Sequence, residues 1–176
     1  MSETPQQEKT LFMTRLMTPD MSNFSGKVHG GTILKLLDEA AFTCASRYCK
    51  TYVVTKSLDQ VVFKKPIEVG DLMTFKCNIN YVGKTSMEVG IRVEGERIKE
   101  KIEYHAISSY FTMVSVDDEG KPIEVPRLQL NSEVEKKLFE AGKMRFAMRK
   151  EIQERNKKLH VSLDNWINIW KSYYHI

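Results

Sequence analysis

The 176-residue chain is poor in cysteine, and its longest apolar stretch is short. Cys44, Cys49 and Cys77 form no C-x-x-C pair, and no histidine stands at finger spacing, so structural zinc is not expected. An odd number of thiols without a framework argues against a disulfide scaffold and for a reducing cytoplasm. The longest apolar stretch, Tyr104–Val116, is interrupted by Ser108 and Ser109 and is too short to cross a bilayer. The first ten residues, MSETPQQEKT, hold no apolar core of the kind a secretory leader needs. A membrane span and an exported precursor are therefore not expected. The hydrolase signatures S-x-x-K, G-x-S-x-G and H-E-x-x-H are missing too.

What is present is enough for a folded core, since 41% of the residues are hydrophobic. The net charge of +4 is unevenly placed. Residues 1–130 hold 17 basic and 17 acidic side chains, whereas residues 131–176 hold 10 basic and 6 acidic. A protein devoted to nucleic acid carries a larger excess gathered on one face, so nucleic acid is not the expected partner.

The pattern divides the chain into a polar lead at 1–10, a main domain at 11–130 and a basic extension at 131–176. Residues 11–17 suit a short strand. A polar loop, Thr18–Gly31, precedes a predicted helix over Thr32–Cys49, where Ile33, Leu34, Leu36, Leu37, Ala40 and Phe42 cover more than one stripe; such a helix is buried. The period then changes to two. Val53–Phe63 reads as one strand. Met73–Tyr81 and Met87–Val93 alternate apolar with polar residues, and Tyr104–Val116 forms the last long strand. Short turns between them imply an antiparallel meander. The predicted fold class is α+β, a sheet wrapped around one long buried helix. One sheet covers only part of that helix, so a second copy is expected against the remainder.

In the extension, Ser132 and Glu135 form a capping box that opens a helix reaching to about Leu159. Its apolar stripe reads as Val134, Leu138, Ala141, Met144, Met148 and Ile152. A second piece carries Leu163, Trp166, Ile167 and Trp170 at helical spacing, then Tyr173 and Tyr174. Three readings stand for this extension: a helix docked on the outside of an oligomer, a basic surface for an acidic partner or membrane, or a mobile end.

The loop before the buried helix carries the chemistry. Asn23, Gly26, His29, Gly30 and Gly31 form N-x-x-G-x-x-H-G-G. Paired glycines let a ligand approach the backbone, and the helix N-terminus offers free N–H groups to an oxyanion. The same glycines also serve simply to turn the chain. Asp38 sits mid-helix among apolar residues; a desolvated carboxylate has a raised pKa and suits a general base, unless it lies at a solvated edge or pairs with a lysine. Gly31 and Asp38 stand ~10 Å apart along one helix, so a site using both is easier to build across a two-fold axis.

The stretch NFSGKVHGGTILKLLDEAA, followed by VVT, FKKPIEVGD, VGKTSMEV and FTMVSVDDEGKP in that order, resembles the hotdog-fold acyl-CoA thioesterases of the acyl-CoA hydrolase branch. The resemblance covers residues 11–127. It implies a two-fold dimer, often a trimer of dimers, that cleaves acyl-CoA to a free acid and coenzyme A without metal or cofactor. It implies Asn23 and Asp38 as catalytic residues supplied by opposite subunits, Asp38 activating water or attacking directly, and Asn23 holding the water or the carbonyl. Backbone N–H groups at Gly30 and Gly31 would hold the thioester oxygen, and His29 would shape the loop. Thr55 matches a position beside the acyl carbonyl, and Lys84, Thr85 and Ser86 match a segment that lines coenzyme A. Lys56, Lys64 and Lys65 are further candidates for phosphate. The rival reading is a hotdog module that binds acyl-CoA without cleaving it, for which a buried base would be unnecessary.

Overall fold

The computed structural model describes residues 7–158. Strand β1 (Thr10–Leu16) leads into the loop and helix α1 (Gly30–Cys49). Strands β2 (Tyr52–Leu58), β3 (Val62–Phe63), β4 (Leu72–Val82), β5 (Ser86–Arg97) and β6 (Ile102–Val116) follow, then helix α2 (Glu133–Lys158). The six strands form one antiparallel sheet in the order β1-β4-β5-β6-β2, with β3 also on β6. None of the described helices is long and apolar enough to cross a membrane. The aromatic piece expected around Trp166 lies outside the described residues.

Alternation builds the core. Met73, Phe75, Cys77 and Ile79 of β4 and Met87, Val89, Ile91 and Val93 of β5 point inward and are buried. They close on Ile33, Leu37, Ala40, Ala41 and Cys44 of α1. The small residues of that helix let it lie close to the concave face of the sheet.

Two expectations need correction. The strand expected over Val53–Phe63 is two, because the Asp59 N–H turns to the Tyr110 carbonyl and the register on β6 shifts between Thr55 and Ser57. Helix α1 begins at Gly30 rather than Thr32, because His29 caps it. One side of α1 stays open in the single protomer, where Leu34, Phe42 and Glu39 are exposed and Asp38 is half-exposed.

The stripe expected on α2 is likewise not the one that packs. Val134, Met144, Met148 and Ile152 are exposed. The helix seats instead through Phe139, Gly142, Arg145, Phe146 and Arg149 on the convex face of the sheet. Phe139 and Phe146 lie against Tyr81, with ring centroids 5.1 and 5.5 Å away. Glu88, only 1% exposed, is gripped by Arg145 at 2.6 Å and by Arg149 at 3.0 Å. Arg149 also reaches Asp59 at 2.8 Å. Burial works against the Arg145 charge, but the Glu88 carboxylate outweighs it and holds the guanidinium above its ordinary pKa. The capping box forms in a widened version: Ser132 Oγ accepts from the Glu135 N–H, and the Glu135 carboxylate reaches back to the Asn131 N–H.

Candidate active site

The loop ahead of α1 is held by its own asparagine. Asn23 Oδ1 accepts from the Ser25 N–H at 2.9 Å, the Ser25 hydroxyl at 2.7 Å and the Lys27 N–H at 3.2 Å. With the carbonyl engaged, the Nδ2 amide is turned away from the turn and donates to nothing among the described residues. Gly26, at φ +76°, makes the tight return that only glycine tolerates well. The loop is tied down where the His29 N–H donates to the Met21 carbonyl and the Val28 N–H to the Ile67 carbonyl.

His29 Nδ1 accepts the Gly31 N–H at 2.9 Å. The Gly31 donor expected for a thioester oxygen is therefore already used within the chain, and His29 is the cap that uses it. The Gly30 N–H has no acceptor among the described residues. A Cβ on Gly30 would meet Phe63 only at ordinary van der Waals distance, 3.6 Å, so nothing among the described residues demands glycine there. Gly30 and Asn23 line one open cleft of about 370 Å³, together with Phe63, Lys64 and Lys65.

Asp38 stands elsewhere, two turns further along α1 on the side of the helix turned away from the core. Strand β2 runs back past it, and Thr55 Oγ1 donates to Asp38 Oδ1 at 2.6 Å. Neither residue lines the Asn23 cleft. One chain thus carries an open amide donor in one place and a braced carboxylate in another, roughly 12 Å along the helix from Gly30.

Lys84, Thr85 and Ser86 occupy the β4–β5 hairpin and lie in a third place. They border a cleft on the convex face with Lys56, Arg149 and Lys150. Lys64 and Lys65 are not part of it. Arg149 and Lys150 were not singled out from the sequence, where they merge into a run of basic helix residues. Among the described residues no three His, Cys, Asp or Glu side chains gather as ligands for a metal ion.

Comparison with known proteins gives a consistent family. Residues 25–102 match the thioesterase superfamily. Protein VdlD of Helicobacter pylori is 48% identical over 139 residues, 79% of each chain. An uncharacterized acyl-CoA thioester hydrolase of Bacillus subtilis, YkhA, is 32% identical over 90% of this chain and 91% of its own. The acyl-CoA hydrolase of Staphylococcus aureus, solved with butyryl coenzyme A and coenzyme A, superposes with a TM-score of 0.78 at 32% identity. That likeness covers 86% of this chain and 93% of the hydrolase. Three further structures of the hydrolase carry alanine in place of one asparagine, one aspartate and one threonine. Their spacings along the chain, 15 and 17 residues, equal those from Asn23 to Asp38 and from Asp38 to Thr55.

Proposed function

Since the chain belongs to the thioesterase superfamily, we propose that it hydrolyses acyl-CoA thioesters to a free acid and coenzyme A at a site shared by two copies of itself. The observation that carries this reading is the pairing of Asp38 with Thr55, on a surface separate from the open amide of Asn23. Water attacks the thioester carbonyl while Asp38 takes its proton. Thr55 fixes one carboxylate oxygen and leaves the other to work as the base. Asn23 of the opposite chain donates to the water or the carbonyl, and the Gly30 N–H at the α1 terminus steadies the charge growing on the thioester oxygen. Collapse of the tetrahedral species breaks the carbon–sulfur bond, and the proton from water returns to the thiolate.

A second copy has an edge to join. Among the described residues, strands β2 and β3 have no strand neighbour on their outer side, and they display Tyr52, Val54, Leu58 and Phe63 to solvent. Beside them α1 displays Leu34 and Phe42. An exposed apolar edge of this kind calls for a partner strand. Pairing the two edges about a two-fold axis covers the open side of α1. It also sets the Asp38 of each chain toward the loop of the other. Hexameric thioesterases are among the solved relatives, so a trimer of such dimers is the assembly proposed.

Release of free thiol from acyl-CoA esters between acetyl and stearoyl tests the activity and gives the chain-length preference. Asp38→Asn and Asn23→Ala should each lose hydrolysis, by about a hundredfold or more for the base. Equal mixing of the two dead variants, with subunit exchange verified, should restore about a quarter of wild-type turnover, because half the dimers then hold one intact site. Silence in the mixture despite exchange would remove the shared site.

A further inference from the structure

Helix α2 lies along one cross-strand row. Tyr81 of β4 stands beside Glu88 of β5, Glu88 beside Thr112 of β6, and Thr112 beside Ser57 of β2. The helix meets that row in the same order. Gly142 lies against Tyr81 and Glu88, Arg145 grips Glu88, and Lys150 and Gln153 share a cleft with Ser57. Three strand spacings of ~4.8 Å separate Tyr81 from Ser57, about 14 Å in all. At ~1.5 Å per residue, about nine residues of helix cover that distance, which matches the run from Gly142 to Lys150 and Gln153. Among the described residues the sheet ends at β2 on this side, but the helix continues to Lys158. From Gln153 onward it runs about 7–8 Å past the edge strand, more than the width of one further strand.

Nothing among the described residues supports this overhang. Residues 151–157 are all exposed, and the ion pairs there are local, Glu151 with Arg155 at 2.6 Å and Glu154 with Lys157 at 2.7 Å. Two free turns of helix are marginal in water. Leading up to the overhang, Met144, Met148 and Ile152 are 61%, 59% and 56% exposed. At 3.6 residues per turn these three share one flank of the helix, opposite Lys143, Lys150 and Lys157. A contiguous apolar flank on a helix that overruns its own sheet marks a contact surface.

The overhang leaves the protomer at the same edge where a second copy is proposed to pair. A two-fold axis at that edge sends the two overhangs past each other, antiparallel and side by side. Facing lysine flanks would set like charges together. Facing apolar flanks bury Met148 and Ile152 at the ~8–10 Å spacing of packed helices. We infer that the end of α2 is an intersubunit arm, which reaches over β2 of a second copy and packs Met148 and Ile152 against the same two residues of that copy's arm. This inference rests on the edge pairing proposed above. It gives the C-terminal helix a task beyond covering its own sheet, and it carries the interface from the sheet edge onto the convex face.

The test treats the full chain with a short bis-maleimide after Ile152→Cys or Arg155→Cys, while light scattering on the untreated protein gives its assembly. Cys44, Cys49 and Cys77 are buried, so wild type supplies the background. Val134→Cys is the control, because in the paired arms its two copies stand about 50 Å apart, beyond the reagent. Ile152→Cys and Arg155→Cys should form covalent dimers in high yield, and Val134→Cys should stay at background. Ile152→Glu should raise the concentration at which the copies separate by about tenfold or more, and Val134→Glu should leave it unchanged. An assembled protein that links at neither arm position, or equally at all three, would overturn the arm and leave the edge pairing standing. If the Ile152→Cys thiol then also resists a simple maleimide, the flank is covered by residues 159–176 of its own chain. A protein that stays monomeric at every concentration would remove the edge pairing and the arm together. None of these readouts needs hydrolysis, so the thioesterase reading is judged separately.

Discussion

Thr55 reaches Asp38 only because β2 doubles back along α1, so the pair joins two elements through one short hydrogen bond of 2.6 Å. Replacing Thr55 by Val keeps the shape and removes the donor. The carboxylate then loses its brace, and kcat should fall about tenfold to a hundredfold while KM changes less. Thr55→Ser should recover most of the rate; a Val variant with wild-type kcat would show that the bond is incidental. Asp38 was legible in the sequence as a carboxylate out of place among apolar neighbours. Its surroundings were not, because the side of α1 that carries it is left open in a single chain. The role of His29 as a helix cap is not legible in the sequence, since imidazole is not among the usual capping groups. That cap engages the Gly31 N–H within the chain, so in the proposed site the backbone donor is Gly30 alone.

At the scale of elements, the strands were legible from alternation, and the start of α2 from Ser132 and Glu135. The seat of α2 was not. Glu88 reads as an outward polar position on β5, and nothing nearby in sequence announces that Arg145 and Arg149, far along the chain, will bury it. The apolar stripe through Met144 and Met148 misled for the same reason: aromatic stacking on Tyr81 and the ion network outweigh it. Gly142 marks the true contact face. A Cβ there would stand 2.7 Å from Tyr81 Cβ and 3.1 Å from Glu88 Oε1. Alanine in a helix interior normally gains about 1 kcal/mol over glycine. Here Gly142→Ala should destabilise the fold by about 1–3 kcal/mol, because the helix must lift from the sheet. Chemical denaturation measures the sign, and a stabilised variant would contradict the seat described.

For the molecule as a whole, the wrapped-helix architecture followed from one over-apolar helix and a run of alternating strands, while the edge left bare by β2 and β3 became visible only with the sheet order. The core also sets a response to alkali. Burial pushes the Cys44 thiol up to about 12, with Cys77 adding to the effect and Arg47 opposing it. Burial pushes Cys77 up to about 12 as well. In the unfolded chain these thiols ionise near 9.0. The folded state holds their protons more tightly, so this contribution to stability is complete below about pH 9 and is lost as pH rises toward 12. The denaturation midpoint should therefore be lower at about pH 10.5 than at about pH 8, and at the lower pH an aromatic disulfide reagent should label all three cysteines only as fast as the protein unfolds. Prompt labelling of Cys44 or Cys77 in the native protein would contradict their burial.

The register shift in β2 has a consequence for how this protein tolerates change. That one stretch of backbone is printed on both sides: the hydroxyl that braces the carboxylate on one, the lysine and serine of the basic cleft on the other. Deleting Val54, the residue just before it, would turn the page, sending the lysine toward the oily interior and the threonine outward. Length, more than side-chain identity, is what evolution or an engineer must leave untouched between Val53 and Ser57.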